Sequence, residues 1–509
     1  MRDMYYVDMH CHPIIKPYSW TKTENIETKG QGRNVKTSLW FNDPPTIRDK
    51  KWNKIIGLTK FTQSDFRTLR KGNVKIISAC LNPVERGLFI FKGCYKILPP
   101  RLLKFVIEVS MKFIRLVRNK ERNYFEELEK ERKFFEDEYD NQDEIFPTRF
   151  ELTSDFSEIE TNLKKTDKDI LSVFFSIEGA HVFNNGGLET SLKDPIAIKD
   201  NIKAVKEWPH PPLYVSMAHM MNNELCGHAK SLPSLLGKII DQKKGMNDGF
   251  SRCGKIVLHK LLENNPGRIY IDIKHMNVKS RKEYYKILED KYDGNCIPVL
   301  ASHGAVIGRP YENEREEKKP YCEIKSFFQN ENELKFYNAD INFFDEEIIR
   351  MEKTGGFLGI MLDERRLCQE KQKYRKKRKK DRGEMLHYQA GLVWKQIRYI
   401  AEVLDDDGKF GWGTATMGSD YDGLVDPPDG YWTSDDFGIL EENLIHHAHE
   451  YFNNKPKLRA DNMCSPQYVI DLFMRGNALR FLKNFLKGGA TSKKDLEKAS
   501  PCKKSKMTV

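Results

Sequence analysis

Residues 5–12 read YYVDMHCH, a short run of aromatic and β-branched residues that ends at two histidines. The run predicts a β-strand, in which residues i and i+2 point to the same side, so His10 and His12 present two imidazoles together. Two imidazoles on one side of a strand suit a divalent metal ion. On its own the pattern is weak, because neighbouring histidines near a strand end are often ordinary polar residues.

Four further apolar runs also stop at a residue that can bind a metal ion. The runs are SVFFSIEG, IYIDIKH, PVLASH and GTATMGSD, and the metal-binding candidates at their ends are Glu178, His275, His303 and Asp420. In a β/α barrel the C-terminal ends of the strands converge on one mouth, where active sites lie. Such agreement among separate strand ends is not expected by chance. We therefore predict that these side chains and the two histidines of the first run form one site.

The order of the strand candidates predicts the fold. Short apolar runs alternate with amphipathic segments of helix length, which is typical of parallel α/β proteins. Eight such runs favour a closed (β/α)8 barrel of the TIM type. They are Tyr5–Met9, Val74–Cys80, Ile170–Ile177, Leu213–Ala218, Arg268–Ile273, Ile297–Ala301, Phe357–Leu362 and Gly413–Gly418.

The number of ligands indicates more than one metal ion. Four imidazoles and two carboxylates exceed the needs of a single tetrahedral ion. They can hold two ions if one carboxylate bridges, and Glu178 is the natural bridge because its two oxygens can face two cations. An imidazole-rich site favours zinc, with manganese, cobalt or iron as alternatives. The sequence therefore predicts two divalent metal ions, Zn²⁺ before the others.

Seven short motifs run in order from residue 8 to residue 480. They are DMH at 8–10, IEGAH at 177–181, YVSMAH at 214–219, IDIKH at 271–275, SH at 302–303, GSDYDG at 418–423 and GNALR at 476–480. In these motifs the chain resembles the membrane dipeptidase (renal dipeptidase, peptidase M19) family of the metal-dependent amidohydrolase superfamily. The resemblance spans most of the chain and implies a β/α barrel with a binuclear zinc site.

The same resemblance implies how the metal ligands divide. His10, position 12 and Glu178 would hold one zinc ion, and Glu178, His275 and His303 would hold the other. The family usually has Asp at the position of His12, so this chain departs from it there. Other amidohydrolases use His-x-His at this place, and metal binding therefore survives. The neutral imidazole raises the charge of the site by one, which affects the first metal and its bound water.

Three further roles are implied by the resemblance. Asp420 lies beside the bridging water as the proton-transfer residue and closes the ligand set. His219 corresponds to the family's substrate-contacting histidine, which also stabilises the oxyanion. Arg309 corresponds to the arginine that binds the substrate carboxylate, although its loop is shorter than the family pattern. A surface arginine before Pro310 is the alternative.

These observations predict a metal-dependent hydrolase of a small amide, with dipeptides as the favoured substrate and a bridging hydroxide as the nucleophile. A second interpretation keeps the fold and the metals but replaces the dipeptide by an N-acyl amino acid or another amide. A third is a barrel without activity that serves as a binding or scaffold protein through its basic loop. The competent residues at all six ligand positions argue against this third interpretation.

The net charge of +11 is concentrated in two segments. Residues 371–380 (KQKYRKKRKK) hold eight basic residues, and the tail 488–509 adds a net +4. The rest of the chain is nearly neutral, which argues against a specific nucleic-acid partner. We expect the basic run to be a solvated loop, with contact to anionic lipid, nucleic acid or an acidic protein as the alternative. The expected partner of the barrel is a small-molecule substrate.

The domain organisation follows from the segments that interrupt the barrel pattern. We expect one metallo-hydrolase barrel over 1–487, with a helical insertion at 84–146 and a basic loop insertion at 364–384, followed by a flexible basic tail at 488–509. The helical insertion is expected to pack on the barrel or on a second subunit of a homodimer. A lid over the pocket and a helix lying on a membrane surface are the alternatives.

The cysteines and the apolar runs restrict the compartment. Ten cysteines are scattered along the chain and none forms a CxxC pair, which excludes zinc-finger and thioredoxin-type sites. No charged-then-apolar signal segment and no apolar run of roughly 18 residues is present. We therefore expect reduced cysteines, a cytoplasmic location and no transmembrane segment.

Overall fold

The computed structural model describes residues 4–21, 35–93, 108–140, 148–165, 169–184, 195–232, 234–292, 297–311, 336–368 and 381–486. Within these ranges, parallel strands form one sheet. The strands are β1 (Tyr6–Cys11), β2 (Val74–Leu81), β3 (Thr148–Leu152), β4 (Asp169–Glu178), β5 (Tyr214–Ser216), β6 (Tyr270–Asp272), β7 (Leu300–Gly304), β8 (Phe357–Ile360) and β9 (Ala415–Met417).

Eight of these strands form a barrel, in the order β1-β2-β4-β5-β6-β7-β8-β9. The sheet closes between β9 and β1, because the N–H of Asp420 donates to the carbonyl of His10 at 2.9 Å. The N–H of His12 likewise donates to the carbonyl of Tyr421 at 2.9 Å. All eight predicted strands are present, although several are shorter than their apolar runs. The predicted (β/α)8 barrel of the TIM type is therefore confirmed.

The strand β3 was not predicted from the sequence. It pairs with residues 169–173 at the start of β4, whereas β5 pairs with residues 177 and 178 at its end. In its sequence TRFEL only Phe150 and Leu152 are buried, so it alternates between the core and solvent. It therefore adds a half-exposed strand to the sheet and does not become a ninth strand of the barrel.

Helices cover the outside of the barrel. The longest begins after Asp381, whose side chain accepts a hydrogen bond from the N–H of Gly383 and so caps the helix. Its buried side chains recur at helical spacing, at Val393, Ile397, Ile400 and Leu404. The helices are Ile15–Thr21, Ile47–Ile56, Phe66–Lys71, Met111–Arg118, Tyr124–Asp140, Phe156–Lys164, Pro195–Lys206, Ser234–Ile239, Arg252–Leu262, Val278–Lys291, Asp345–Lys353, Glu364–Leu367, Arg382–Asp406, Phe437–Asn453, Pro466–Asp471 and Asn477–Phe485.

The described part of the 84–146 insertion packs on the barrel next to the strand ends. The helix Tyr124–Asp140 buries Phe135, whose ring lies 5.2 Å from that of Phe175 on β4. From the same helix, Glu131 accepts a hydrogen bond from the N–H of Asn82 at 2.8 Å, directly after β2. The insertion is therefore anchored where β2 reaches the barrel mouth.

Some predicted segments lie outside the described residues. They are residues 94–107 and 141–146 of the insertion, the basic run at 371–380 and the tail at 488–509. Among the described helices, none combines the length and the apolar character that crossing a bilayer requires.

Candidate metal centre

The structure brings all six sequence-predicted ligands together at the C-terminal mouth of the barrel. Each of them is at most 7% exposed. They lie on, or within three residues after, five of the barrel strands: His10 on β1 and His12 after it, Glu178 on β4, His275 after β6, His303 on β7 and Asp420 after β9.

Glu178 lies at the centre of the cluster. Its Oε1 is 3.0 Å from Nε2 of His275 and 3.5 Å from Nε2 of His303. Its Oε2 is 3.3 Å from Nε2 of His12. His10 lies between the two groups, with its Nε2 3.1 Å from that of His12 and 3.8 Å from Oε1 of Glu178. The two carboxylate oxygens therefore face two different sets of imidazoles.

Asp420 reaches both sides of the cluster. Its Oδ1 lies 3.3 Å from Nε2 of His12 and 3.8 Å from that of His10, and its Oδ2 lies 3.8 Å from Nε2 of His303. A Cβ at Gly423 would lie 2.1 Å from Oδ1 of Asp420 and 2.8 Å from Cδ2 of His12, so a larger residue there would displace these two side chains.

The backbone at the cluster adopts conformations that are rare for non-glycine residues. His275 and Asp420 have φ values of 67° and 59°, each of which costs about 1–3 kcal/mol and is typical of functional sites. Gly179, directly after Glu178, has a φ of 96°, and a Cβ there would lie 2.4 Å from Nδ1 of His181. The IEG motif is therefore explained by a turn that only glycine can make.

Two buried aspartates hold the ligand-bearing strand ends in place. Asp8 accepts hydrogen bonds from the N–H and the hydroxyl of Ser419, at 2.9 and 2.5 Å, and so joins β1 to the turn that carries Asp420. Asp272 accepts from the hydroxyl and the N–H of Ser302, at 2.6 and 3.1 Å. The hydroxyl of Ser302 also lies 3.0 Å from Nδ1 of His303, which orients that imidazole with Nε2 towards the cluster.

His219 is held by a carboxylate that the sequence analysis did not identify. Nδ1 of His219 lies 2.8 Å from Oε2 of Glu85, and its Nε2 lies 3.3 Å from Oε2 of Glu178. Glu85 is fully buried and also accepts from the N–H groups of Met220 and Met221 at 3.1 and 3.0 Å. Burial lowers the pKa of His219, but Glu178 and Glu85 outweigh it and raise the pKa above its usual value.

Burial and charge set the protonation of the cluster. Burial lowers the pKa of His10 and of His303 well below the ordinary imidazole value, and that of His275 to about 3. Burial alone would lower the pKa of His12 as well, but the carboxylates of Asp420 and Glu178 outweigh burial and raise the pKa of His12 to about 10. His12 therefore carries a proton at the point where two carboxylates converge, and a divalent cation bound there would take the place of that proton.

The donor set fits divalent metal ions. Three buried imidazoles are held neutral, which is the form that binds a metal, and their Nε2 atoms converge with two carboxylates. Three overlapping groups of ligand atoms meet the distance requirement for a metal: His10, His12, Cys80 and Glu178; His10, His303 and Asp420; and Glu178, His275 and His303.

Cys80 and Lys274 are further buried residues at the cluster that the sequence analysis did not identify. Burial and the neighbouring carboxylate of Glu178 raise the pKa of the Cys80 thiol well above its usual value, which keeps it neutral. Lys274 is 1% exposed, and its ammonium has no hydrogen-bond partner among the described residues. Burial and the charge of Arg366 lower its pKa to about 8. A lysine within an apolar run gave no sign of burial, because alternate strand residues often face solvent.

Arg309 is not brought to the cluster. Its guanidinium lies 5.6 Å from the ring centroid of Phe344, and its carbonyl accepts from the N–H of Asp345 at 3.3 Å. Lys16, which the sequence analysis did not identify, is the lysine that lines the cleft next to the cluster. Its ammonium donates to Asp422 at 2.7 Å and to the carbonyl of Phe61.

The remaining histidines near the motifs have other contacts. His181 and His228 are buried, and their Nε2 atoms lie 2.9 and 3.0 Å from the carbonyl oxygens of Pro83 and Gln242. A separate, partly exposed group of metal-capable side chains joins two surface helices. It consists of His387, His447 and Glu450.

A cleft of about 920 Å³, open mouth included, leads from solvent to the cluster. His12, Glu178 and His219 line its inner end. Segments of the insertion, at residues 84–89 and 109–113, contribute to its wall. Among the described residues, this cleft therefore gives a small molecule a path to the buried cluster at the barrel mouth.

Comparison with solved structures finds metallopeptidases and an amidohydrolase. The dipeptidase AC, a metallopeptidase of family M19, superposes with a TM-score of 0.50 at 11% identity and covers 96% of this chain and 100% of its own. A metallopeptidase from Rhodobacter sphaeroides, liganded with a phosphinate mimic of the dipeptide L-Ala-D-Ala, gives 0.48 at 11% identity, with 95% and 99% covered. An amidohydrolase from Pseudomonas aeruginosa gives 0.45 at 15% identity, with 83% and 92% covered.

No protein-family model and no curated protein sequence matches the chain. The likeness to the M19 dipeptidase is therefore a likeness of fold, and it agrees with the family resemblance of the motifs.

Proposed function

We propose that this chain is a metal-dependent hydrolase of the membrane dipeptidase type, which cleaves the amide bond of a small substrate such as a dipeptide. The observation that carries the proposal is the position of Glu178. One of its oxygens lies within 3.5 Å of His275 and His303, and the other lies 3.3 Å from His12. This arrangement supports two divalent ions, zinc before the others, with Glu178 between them.

His10 and His12 would join Glu178 in holding one ion, and His275 and His303 would join it in holding the other. When bound there, such ions would supply a water of lowered pKa and Lewis-acid polarisation of the scissile carbonyl. The surrounding protein excludes bulk water from the cluster, because every one of these ligands is at most 4% exposed. Charge–charge interactions in the cluster are correspondingly strong.

Asp420 is the proposed proton-transfer residue. Its two oxygens lie 3.3 Å from His12 and 3.8 Å from His303, beside both halves of the cluster. Burial raises its pKa to about 6, so the carboxylate can both take up and release a proton near neutral pH. Asp420 would accept the proton of the attacking water and deliver it to the leaving amine.

His219 is the proposed donor to the carbonyl oxygen of the substrate. Glu85 holds its Nδ1 at 2.8 Å, and the raised pKa favours a ring that donates from both nitrogens. Its Nε2 can then donate to the oxygen on which negative charge develops during the reaction. Glu85 acts only through His219, as a positioning residue.

Lys16 is better placed than Arg309 to contact a substrate carboxylate. It lines the cleft, whereas Arg309 does not. An ammonium group has three N–H donors, and two of them go to Asp422 and to the carbonyl of Phe61. The third can donate to a carboxylate in the cleft.

The test is turnover of a panel of L-L and L-D dipeptides by protein of measured metal content. We expect hydrolysis that is lost on chelation, returns with Zn²⁺ and is abolished in Glu178→Gln. Glu160→Gln, on the exposed face of the helix Phe156–Lys164, is the matched control and should behave as wild type. Protein that holds two ions and cleaves no small amide would contradict the proposal.

A further inference from the structure

The wall of the cleft beyond the metal centre is mostly apolar. Eleven of the nineteen lining residues are aliphatic, aromatic or methionine. They come from separate parts of the chain and include Ile15, Leu88, Phe113, Leu236 and Leu424. A substrate group that fills this space must therefore be apolar if its burial is to be favourable.

The charged groups in the cleft wall are already paired. Lys16 and Asp422 lie 2.7 Å apart, and the second oxygen of Asp422 accepts from Ser64 at 2.7 Å. The only other carboxylate among the described lining residues is Glu178, in the metal centre. The free ammonium of a dipeptide would therefore lie in the cleft without a carboxylate of its own, which is costly in an apolar environment.

One buried acceptor in the cleft suits an amide. Asn82 is 6% exposed and donates from its Nδ2 to Glu178 at 3.3 Å, and its Oδ1 has no hydrogen-bond partner among the described residues. Buried polar atoms are nearly always hydrogen-bonded. The N–H of a substrate amide would supply the missing donor, while Lys16 contacts the carboxylate of the same substrate.

We infer that the preferred substrates are N-acyl amino acids with an aliphatic acyl chain, rather than free dipeptides. The acyl chain occupies the apolar cleft, the amide N–H donates to Asn82 and the carboxylate contacts Lys16. Hydrolysis adds water across the amide bond and releases a fatty acid and a free amino acid. The inference rests on the proposed amide hydrolysis and names its substrate class.

The experiment compares N-acyl-L-alanines from acetyl to decanoyl with Leu-Ala, using the zinc-loaded full chain. Burying one methylene contributes about 0.8 kcal/mol, or nearly fourfold. We expect kcat/KM to rise about threefold to fourfold per methylene until the cleft is filled. Filling by four methylenes alone would give a total rise of about 80-fold to 250-fold. Leu-Ala should be a poorer substrate than N-octanoyl-alanine.

Variants of the wall separate this inference from general effects on activity. Leu88→Asn and Leu236→Asn should reduce the ratio of octanoyl to acetyl kcat/KM at least about tenfold. Leu88→Met and Leu236→Met keep an apolar side chain of similar size and should keep the ratio. If the ratio is the same in the Asn and Met variants, the acyl chain does not occupy the cleft and the inference is wrong.

A binding measurement distinguishes failure of the inference from failure of the proposed function. Calorimetry on Asp420→Asn should show tighter binding of N-octanoyl-alanine than of N-acetyl-alanine, independently of turnover. Dipeptide hydrolysis with no dependence on acyl length would overturn the inference and leave the proposed function intact. Length-dependent binding without cleavage of any amide by wild type would contradict the proposed function, and the N-acyl amino acids would then be ligands of the cleft and not substrates.

Discussion

Asp420→Asn is the substitution that isolates proton transfer from metal binding. Asparagine keeps the size and one oxygen of the aspartate but cannot take up a proton. It also tolerates the left-handed backbone, so the φ of 59° at this position adds no new strain. Alanine would add that strain and would therefore confuse loss of the base with distortion of the turn that follows β9.

The expected loss follows from the geometry of the cluster. Asp420 is the only carboxylate besides Glu178 within 4 Å of the imidazole Nε2 atoms, as far as the described residues show. No second base can replace it if Glu178 is occupied by metal. General acid–base catalysis contributes about 10²–10⁴-fold, and we expect kcat of Asp420→Asn to fall by that factor. One oxygen remains near His12, so metal content should fall less than in Glu178→Gln.

The assay measures kcat at saturating substrate and metal content by elemental analysis on the same samples. A kcat of Asp420→Asn within a few-fold of wild type would refute the proton-transfer role. A kcat that falls only in proportion to lost metal would also refute it, because Asp420 would then act as a ligand alone.

Three further predictions concern position 12, the basic run and the partly buried carboxyl of Asp345 outside the site. His12→Ala should lose one metal ion and keep the ion at His275 and His303. His12→Asp should keep both ions and move the acid limb of the pH–rate profile to higher pH, because the added negative charge raises the pKa of the bound water. If His12→Ala binds two ions and its acid limb is unchanged, His12 is not a ligand. Deletion of residues 371–380 should leave the turnover of small substrates intact, since eight positive charges in ten residues cannot form part of an apolar cleft. A large fall in kcat after the deletion would place these residues at the active site. Burial raises the pKa of Asp345 from 3.8 to about 6, so between these values the folded protein keeps a proton on this carboxyl that the unfolded chain releases. The contribution of this proton to the free energy of unfolding is lost as pH rises from about 4 to 6. Asp345→Asn should reduce that loss in thermal denaturation, and an unchanged pH dependence would be evidence against this role of Asp345.

The fold and the clustering of the six candidate ligands could be predicted because both depend on the same local signal. A strand that is buried on both faces is a largely apolar run, and each of these runs stops at a residue that can bind a metal ion. Glu178, His275, His303 and Asp420 all occupy such positions, so six scattered residues became one site once a barrel was assumed. The strand β3 gave no such signal, because charged and apolar residues alternate along it in a charge-rich region.

The residues that support the ligands could not be predicted in the same way. Glu85 follows no strand pattern and meets His219 only through the fold, and Asn82 is buried by the helix Tyr124–Asp140. Asp8 and Asp272 lie inside apolar runs, but their serine partners, in the turn after β9 and on β7, are distant in sequence. Such pairs depend on strand register, which a single sequence does not contain.

Arg309 illustrates the limit of reasoning by motif position. It was assigned by its distance from His303 along the chain, but the loop directs its guanidinium over Phe344. Lys16 lies on the short helix after β1, far in sequence from the motifs to which a substrate-binding residue was assigned. It lines the cleft because that helix packs at the barrel mouth. Where each of the two cations lies relative to the cleft depends on loop and helix conformation, which residue type does not give.

The most direct measurement is the number of divalent ions bound per chain at saturation. It should be made on the His387→Ala variant, because the separate surface group of His387, His447 and Glu450 could otherwise bind an additional ion. His387 is only partly buried. Elemental analysis after mild loading with Zn²⁺ should give two ions per chain in this background and one ion after the further substitution His275→Ala. Glu178→Gln should leave fewer than one ion, because Glu178 is proposed as a ligand of both ions. A single ion at saturation, unaffected by His275→Ala, would contradict the binuclear centre.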